Sequence, residues 1–200
     1  MKNPYPKDAR RWLATTESLL RQFPLPIDDL VKITLASWED IFHSKIGSRE
    51  FQVGRDIWPE PQIMGFLLHE LIPLNLAGAY PGKWRRCSRG DECDAVHVAD
   101  DDWSFEIKTS SSRSGIFGNR SYTHLSDDAR KRRGSFFLAI NFGKFAGDVV
   151  RPEITLIRFG WLGSKDWIGQ RAESGQQAHL TQEAKAYKLK IIYERLPKKR

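Results

Sequence analysis

The sequence predicts an α/β (α+β) fold: a central mixed β-sheet flanked by helices, with a helical N-terminal part. Apolar residues recur at helical spacing through the first third of the chain. Two short segments joined by an acidic turn, residues 94–98 and 103–108, alternate as strands do. Ser135–Phe142 is a continuous apolar run suited to a strand covered on both faces. Helices first, then a hairpin, then further strands with helix between them is the order of a mixed sheet with helices packed on it.

Asp8 suits the N-cap of a first helix on which Trp12, Thr16, Leu19, Leu20 and Phe23 share a face, and Pro24 and Pro26 end it. A second helix carries Ile27, Leu30, Val31, Thr34, Leu35, Trp38, Ile41 and Phe42 on one stripe, and the periodicity fails at Lys45-Ile46-Gly47-Ser48. Pro59-Glu60-Pro61 opens a third helix. Its inward stripe is Ile63, Phe66, Leu67, Leu71 and Leu74, and Pro73 ends or kinks it. Glu70 falls inside that stripe, where a carboxylate needs a cationic partner. Either Arg85 or Arg86 supplies one, or Glu70 points into a site. After the hairpin, residues 109–122 form a long polar loop. Residues 135–142 and 154–159 are strands, residues 163–182 are polar and in part helical, and residues 187–193 alternate as a terminal strand. The terminal Lys198-Lys199-Arg200 frays.

The chemistry concentrates in the hairpin. Period-2 geometry sets Glu106 and Lys108 on one face of the second strand and Phe105 and Ile107 on the other, and Asp94 joins from the neighbouring strand. A Glu-x-Lys on a strand is most often a solvated face. Here the flanking apolar residues belong to a core-forming sheet, which favours the chemical reading. Two carboxylates and an ammonium suit a hard divalent cation and a scissile phosphate, and Mg2+ takes oxygen ligands, commonly one or two carboxylates with waters and phosphate oxygens. The residues point to a metal-dependent nuclease. The loop that follows contains Ser111, Ser112, Arg113, Asn119 and Arg120. Arg matches guanine O6/N7 and Asn matches adenine N6/N7, so the loop has the inventory for major-groove reading. In the run Arg130-Lys131-Arg132-Arg133, Arg130 and Arg132 are candidates for phosphate contacts.

Composition narrows the classes. The net charge of +7 and pI near 9.5 favour an anionic partner, nucleic acid before others. The 40% apolar content, with seven Trp and eleven Phe, is that of a globular chain. One nuclease domain over residues 1–200 is expected, with residues 1–48 a helical elaboration and 49–200 the catalytic core. No apolar run approaches the ~20 residues a membrane span needs and no signal-peptide segment is read, so a cytoplasmic protein with no membrane partner is expected. Cys87, Cys93 and His97 make a C-x5-C-x3-H string, but the spacing fits no common zinc pattern and reduced structural thiols are the better account.

At Asp94 and at Glu106-Ile107-Lys108 the chain resembles the PD-(D/E)XK nuclease superfamily, with Cys93 where the proline of its motif would stand. Further likeness runs through Arg49-Glu50-Phe51-Gln52, Pro61-Gln62-Ile63-Met64-Gly65-Phe66 and Glu106-Ile107-Lys108-Thr109-Ser110-Ser111. It continues at Ile116-Phe117-Gly118-Asn119-Arg120-Ser121-Tyr122 and Ala139-Ile140-Asn141-Phe142. These are similar to type II restriction endonucleases of the ScaI-like group, over residues 49–170. The resemblance implies a restriction-endonuclease-like sheet in which Asp94, Glu106 and the Ile107 carbonyl hold Mg2+. It implies Lys108 as the group that orients the attacking water, and Glu70 as a helix-borne glutamate that joins the catalytic site. It implies a homodimer that cuts a palindrome to leave 5′-phosphate ends, and a cognate methyltransferase that protects host DNA. The same catalytic core would also serve a repair nickase, a junction resolvase or an RNase. A non-catalytic DNA-binding protein is the remaining alternative, although no helix-turn-helix pattern supports it. No glycine-rich phosphate loop is present in the sequence.

Overall fold

The computed structural model describes residues 2–90, 92–123, 134–170 and 176–196. Three helices precede the sheet: α1 Trp12–Gln22, α2 Ile27–His43 and α3 Pro61–Ala79. Asp8 caps the entry to the first, its side chain accepting from the Arg10 N–H across a 3-10 turn that leads into α1. α1 buries Thr16, Leu19 and Leu20, and α2 buries Leu30, Thr34, Trp38, Ile41 and Phe42, as the helical spacing requires.

Helix α3 departs from expectation in two ways. Its buried positions are Met64, Gly65, Leu68, Ile72, Pro73 and Leu76, whereas Ile63, Phe66 and Leu74 are exposed. The helix is apolar nearly all round, so spacing alone does not choose the face that packs. Pro73 does not end the helix, which continues to Ala79. The ring costs the ladder one N–H, and burial of Ile72, Pro73 and Leu76 on one face carries the helix past it.

The main sheet has the order β1-β2-β3-β5-β6-β9. Its strands are β1 Trp84–Arg86, β2 Ala95–His97, β3 Phe105–Ser110, β5 Ser135–Phe142, β6 Ile154–Leu162 and β9 Lys190–Glu194. All neighbours run antiparallel except β3 and β5, which are parallel. β4 Phe117–Asn119, β8 Gln177–Leu180 and β7 Trp167–Gly169 make a second, antiparallel three-stranded sheet. The polar region after residue 162 is therefore strand and 3-10 turn where described, and part of the loop after β3 is strand as well. These strands are three or four residues long, and β4 finds its partner β8 only far along the chain, so local pattern does not reveal them.

Alternation along β5 divides the core. Phe136, Leu138, Ile140 and Phe142 join Phe105, Ile107 and Phe159 against the helices, in a cluster that also takes Leu19, Phe23, Leu30, Trp38, Leu68 and Leu76. Phe137 and Ala139 face the other way, toward Tyr122, Trp167, Ala178 and Leu180. Phe136 and Phe137 are both buried, each contributing about 1.5–3 kcal/mol. Behind β6 a five-residue π-turn, Ala184–Lys188, lies so close that a Cβ on Gly160 would sit 1.9 Å from the Lys188 carbonyl oxygen. The Lys188 ammonium meets Asp166 at 2.8 Å, buried, under the rings of Tyr5 and Trp12 at 4.3 and 4.1 Å.

Candidate active site

Asp94 immediately precedes β2, and Ala95 pairs with Phe105 in the antiparallel β2–β3 ladder, so that register continued by one residue would bring Asp94 to Glu106, on the face opposite to Ala95 and Phe105. Lys108 follows two residues on, and the parallel register sets Glu106 beside Phe137 and Lys108 beside Ala139. The alternation expected for residues 105–108 is the one found: Phe105 and Ile107 lie among the core residues on the helix side.

The side chains converge through named contacts. Asp94 Oδ2 accepts the Ile107 N–H at 2.7 Å and lies 3.4 Å from His69 Nδ1. Burial pushes the Asp94 pKa up. His69, the nearby Lys108 charge and the Ile107 N–H outweigh it and hold the carboxyl below the usual aspartate range. Glu106 is 5% exposed; its Oε2 accepts from the Tyr122 hydroxyl at 2.8 Å and stands 3.4 Å from Lys108 Nζ. Lys108 Nζ also lies 4.8 Å from the centre of the Tyr122 ring, a cation–π contact. In an extended strand a residue's N–H and C=O point to the same edge. With its N–H on Asp94, the Ile107 carbonyl is therefore directed to that edge too, just beyond the end of β2.

The segment before Asp94 is built around another carboxylate. Glu92 pairs with Arg85 at 2.5 Å and accepts from the backbone N–H groups of Ser88 and Arg89 and from the Ser88 hydroxyl. The Arg85 hydrogen bonds, and after them the Ser88 N–H, hold its pKa far below the usual glutamate range. Cys87 Sγ donates to the Arg89 carbonyl and Cys93 is buried, while His97 sits on the Trp84 ring with Nδ1 3.2 Å from the Asp100 carbonyl.

Asp94 opens into a cleft of about 840 Å³ between α3 and the ends of β3 and β4. His69, Glu70, Ser110, Ser111, Phe117, Lys144 and Gln177 line it. Glu70 is on the cleft wall and also paired: its Oε2 is 3.0 Å from Arg86 Nη2, while Arg85 serves Glu92. Among the proposed base readers, Ser111 borders the cleft, Arg113 is exposed, and Asn119 is exposed on β4 opposite Gln177. Ser112 turns inward, its hydroxyl accepting the Gly115 N–H at 2.6 Å. Arg120 begins a 3-10 turn and its stem lies over Gly169. Arg130 and Arg132 lie outside the described residues.

Sequence reasoning gave no role to His69, Tyr122, Asn141 or Arg158, although Tyr122 and Asn141 lie in segments that carry the resemblance. A lone histidine in an apolar helix carries no signal, and the other three act through contacts 16 to 44 residues away. Among the described residues no group of three or more His, Cys, Asp or Glu could hold a metal ion. The donors that are present, the carboxylates of Asp94 and Glu106 and one strand-edge carbonyl, are of the oxygen type that fits a hard cation keeping several waters.

A mixed sheet with helices on one face, presenting an acid–acid–lysine set beside an open cleft in a basic chain, describes an endodeoxyribonuclease of the restriction type. Comparison with known proteins gives the same class. A family model, ScaI restriction endonuclease, matches residues 4–193. The type II restriction enzyme ScaI of Streptomyces caespitosus is 44% identical over 162 residues, which are 80% of this chain and 70% of that protein. The chain belongs to the ScaI restriction endonuclease family, and it is a site-specific endodeoxyribonuclease. The match takes in α1 and α2, a wider span than the likeness read from the motifs. No helix among the described residues is long and apolar enough to cross a membrane.

Proposed function

We propose that the chain, one nuclease domain over residues 1–200, cuts double-stranded DNA at a palindromic site as a cytoplasmic homodimer, with Mg2+ held by Asp94, Glu106 and the Ile107 carbonyl. What supports this reading is the β2–β3 register, Ala95 opposite Phe105, together with the bond from the Ile107 N–H to Asp94 and the contact of Lys108 with Glu106. When bound, Mg2+ would polarise the phosphoryl oxygen and acidify a water. Asp94 is kept anionic by His69, Lys108 and the Ile107 N–H, so its carboxylate is ready to ligate at neutral pH. Glu106 is held in place by Tyr122. Lys108, swung from Glu106 toward the cleft, would orient the attacking water and offset the charge that builds on the phosphoryl oxygens. Glu70, fixed by Arg86 on the cleft wall, would accept from a water there.

In-line attack leaves a 5′-phosphate and a 3′-hydroxyl. Ser111, Arg113, Asn119 and Arg120 would face the bases, with Ser112 shaping the loop that carries them, and Arg130 and Arg132 the phosphates. Two-fold protein symmetry matches a palindrome, and a cognate methyltransferase would protect host DNA. The test is digestion of a long DNA of known sequence with Mg2+ or with chelator. Discrete fragments, bearing 5′-phosphate ends, are expected only with Mg2+. Glu106→Ala and Lys108→Ala are each expected to abolish cutting while DNA binding survives; near-normal cutting by either variant removes its assignment.

A further inference from the structure

Arg158 is a buried charge that plays no part in the chemistry above. It lies on β6, only 3% exposed. The register aligns it with Lys108 across Ala139, because Lys108 pairs with Ala139 and Ala139 with Arg158. Adjacent strands are about 4.8 Å apart, so the two cationic residues share one face of the sheet, two strands from each other. Among the described residues no carboxylate pairs with Arg158, and its Nε has no hydrogen-bond partner. Burial brings its pKa down to about 10, which leaves it charged at neutral pH. An uncompensated guanidinium in that position is costly.

What Arg158 holds is the loop that leaves β3 two residues after Lys108. Its Nη2 donates to the Ser114 carbonyl at 3.0 Å and to Asn141 Oδ1 at 2.6 Å. Asn141, 1% exposed, donates from Nδ2 to the carbonyls of Ser112 and Gly115, each at 2.9 Å. With a longer contact from Asn141 Nδ2 to the Ser110 carbonyl at 3.5 Å, carbonyls of four residues within 110–115 thus end on one amide–guanidinium pair. The same loop is short of apolar anchors until the buried Ile116. Its outer side carries Ser111 at the cleft and the exposed Arg113.

We propose that Arg158 and Asn141 form a clamp that fixes the shape of residues 110–115 and through it the enzyme's discrimination between its site and sites that differ by one base pair. Both are positioning residues, and the inference rests on the reading of this loop as DNA-contacting. The shorter lysine stem with its tetrahedral ammonium does not put a nitrogen where the planar guanidinium sets Nη2 between its two acceptors, so Arg158→Lys loosens the clamp while keeping the charge. Asn141→Asp gives Arg158 an anionic partner and takes the donor away from Ser112 and Gly115.

The test measures cleavage, and binding in chelator, on the enzyme's own site and on single-base variants of it, well below the unfolding midpoint. The readout is the ratio between sites. Loss of folded protein cancels in that ratio, so a merely structural role leaves it unchanged, and binding still reports if a variant does not cut. Loss of one well-placed base contact relaxes discrimination roughly tenfold to a hundredfold. Arg158→Lys and Asn141→Asp are each expected to lower the ratio by at least about tenfold. Unchanged ratios in both variants overturn the clamp. Arg113→Ala and Asn119→Ala separate the two levels of the argument. If they alter binding or discrimination while the clamp variants do not, the clamp alone fails. If they alter neither, the loop does not read DNA and the proposal falls with that reading.

Discussion

Replacing Tyr122 by Phe removes a single oxygen from the site, and its effect can be worked from contacts. The hydroxyl donates at 2.8 Å to Glu106 Oε2, and both residues are 5% exposed. A hydrogen bond to a charged group is worth about 1.5–3 kcal/mol. The ring contacts survive the change: Trp167 at 5.4 Å, Phe137 at 5.5 Å and the Lys108 ammonium at 4.8 Å. The fold should therefore persist with a loss of about 1.5–3 kcal/mol. Groups that orient a metal ligand typically change affinity or rate about 10–100-fold. The Mg2+ concentration for half-maximal cutting is expected to rise by that factor, while saturating Mg2+ recovers part of the rate. The assay is a cleavage time course over several decades of Mg2+, with thermal unfolding on the same preparation. An unchanged Mg2+ midpoint together with an unchanged rate would show that Glu106 needs no help from Tyr122.

Three other outcomes are expected. Because Arg85 and the Ser88 N–H depress the pKa of Glu92, its contribution to stability is complete above the unfolded glutamate value of ~4.3 and drains away as pH falls below it. Glu92→Gln should flatten the fall in unfolding temperature between about pH 5 and pH 3; parallel curves would remove this assignment. Gly160→Ala places a Cβ against the Lys188 backbone oxygen and should cost about 3 kcal/mol or more. Gly65→Ala meets the Thr109 hydroxyl, which can rotate, and the Thr109 Cβ at ordinary contact distance, and the gain in helix propensity limits its net change to about 1 kcal/mol. Chemical denaturation of the two variants side by side checks the order. Lys144→Ala, on the cleft wall, should lower the slope of log affinity against log salt by about one without changing which sequence is cut.

Much of this protein was legible in one dimension because its strongest signals are local. Residues 105–108 alternate on a core-forming strand, and that alone fixes Glu106 and Lys108 to one face. α1 and α2 are amphipathic enough for their packed sides to be read directly. α3 is not, and the stripe that includes Ile63, Phe66 and Leu74 turns to solvent while Met64, Leu68 and Ile72 go in. That rotation also moves Glu70 from a core position to the cleft wall. The small sheet was illegible for a different reason. Gly118 meets Ala178 only through tertiary pairing, so neither segment shows a strand of its own length or composition. Tyr122, Asn141 and Arg158 share the same obscurity: each is ordinary in sequence and gains a role only from what is folded against it.

The crossing of that small sheet has a consequence for biosynthesis. β4 has no neighbour in its sheet until β8 emerges, with Phe117 set against His179 and the earlier-made β7 on the far side of β8. A ribosome releases the acid–acid–lysine hairpin long before it releases β8. A nascent or prematurely stopped polypeptide therefore carries the hairpin carboxylates without the finished wall beside them. The wall that β4 contributes would be complete only once β8 has been made and paired.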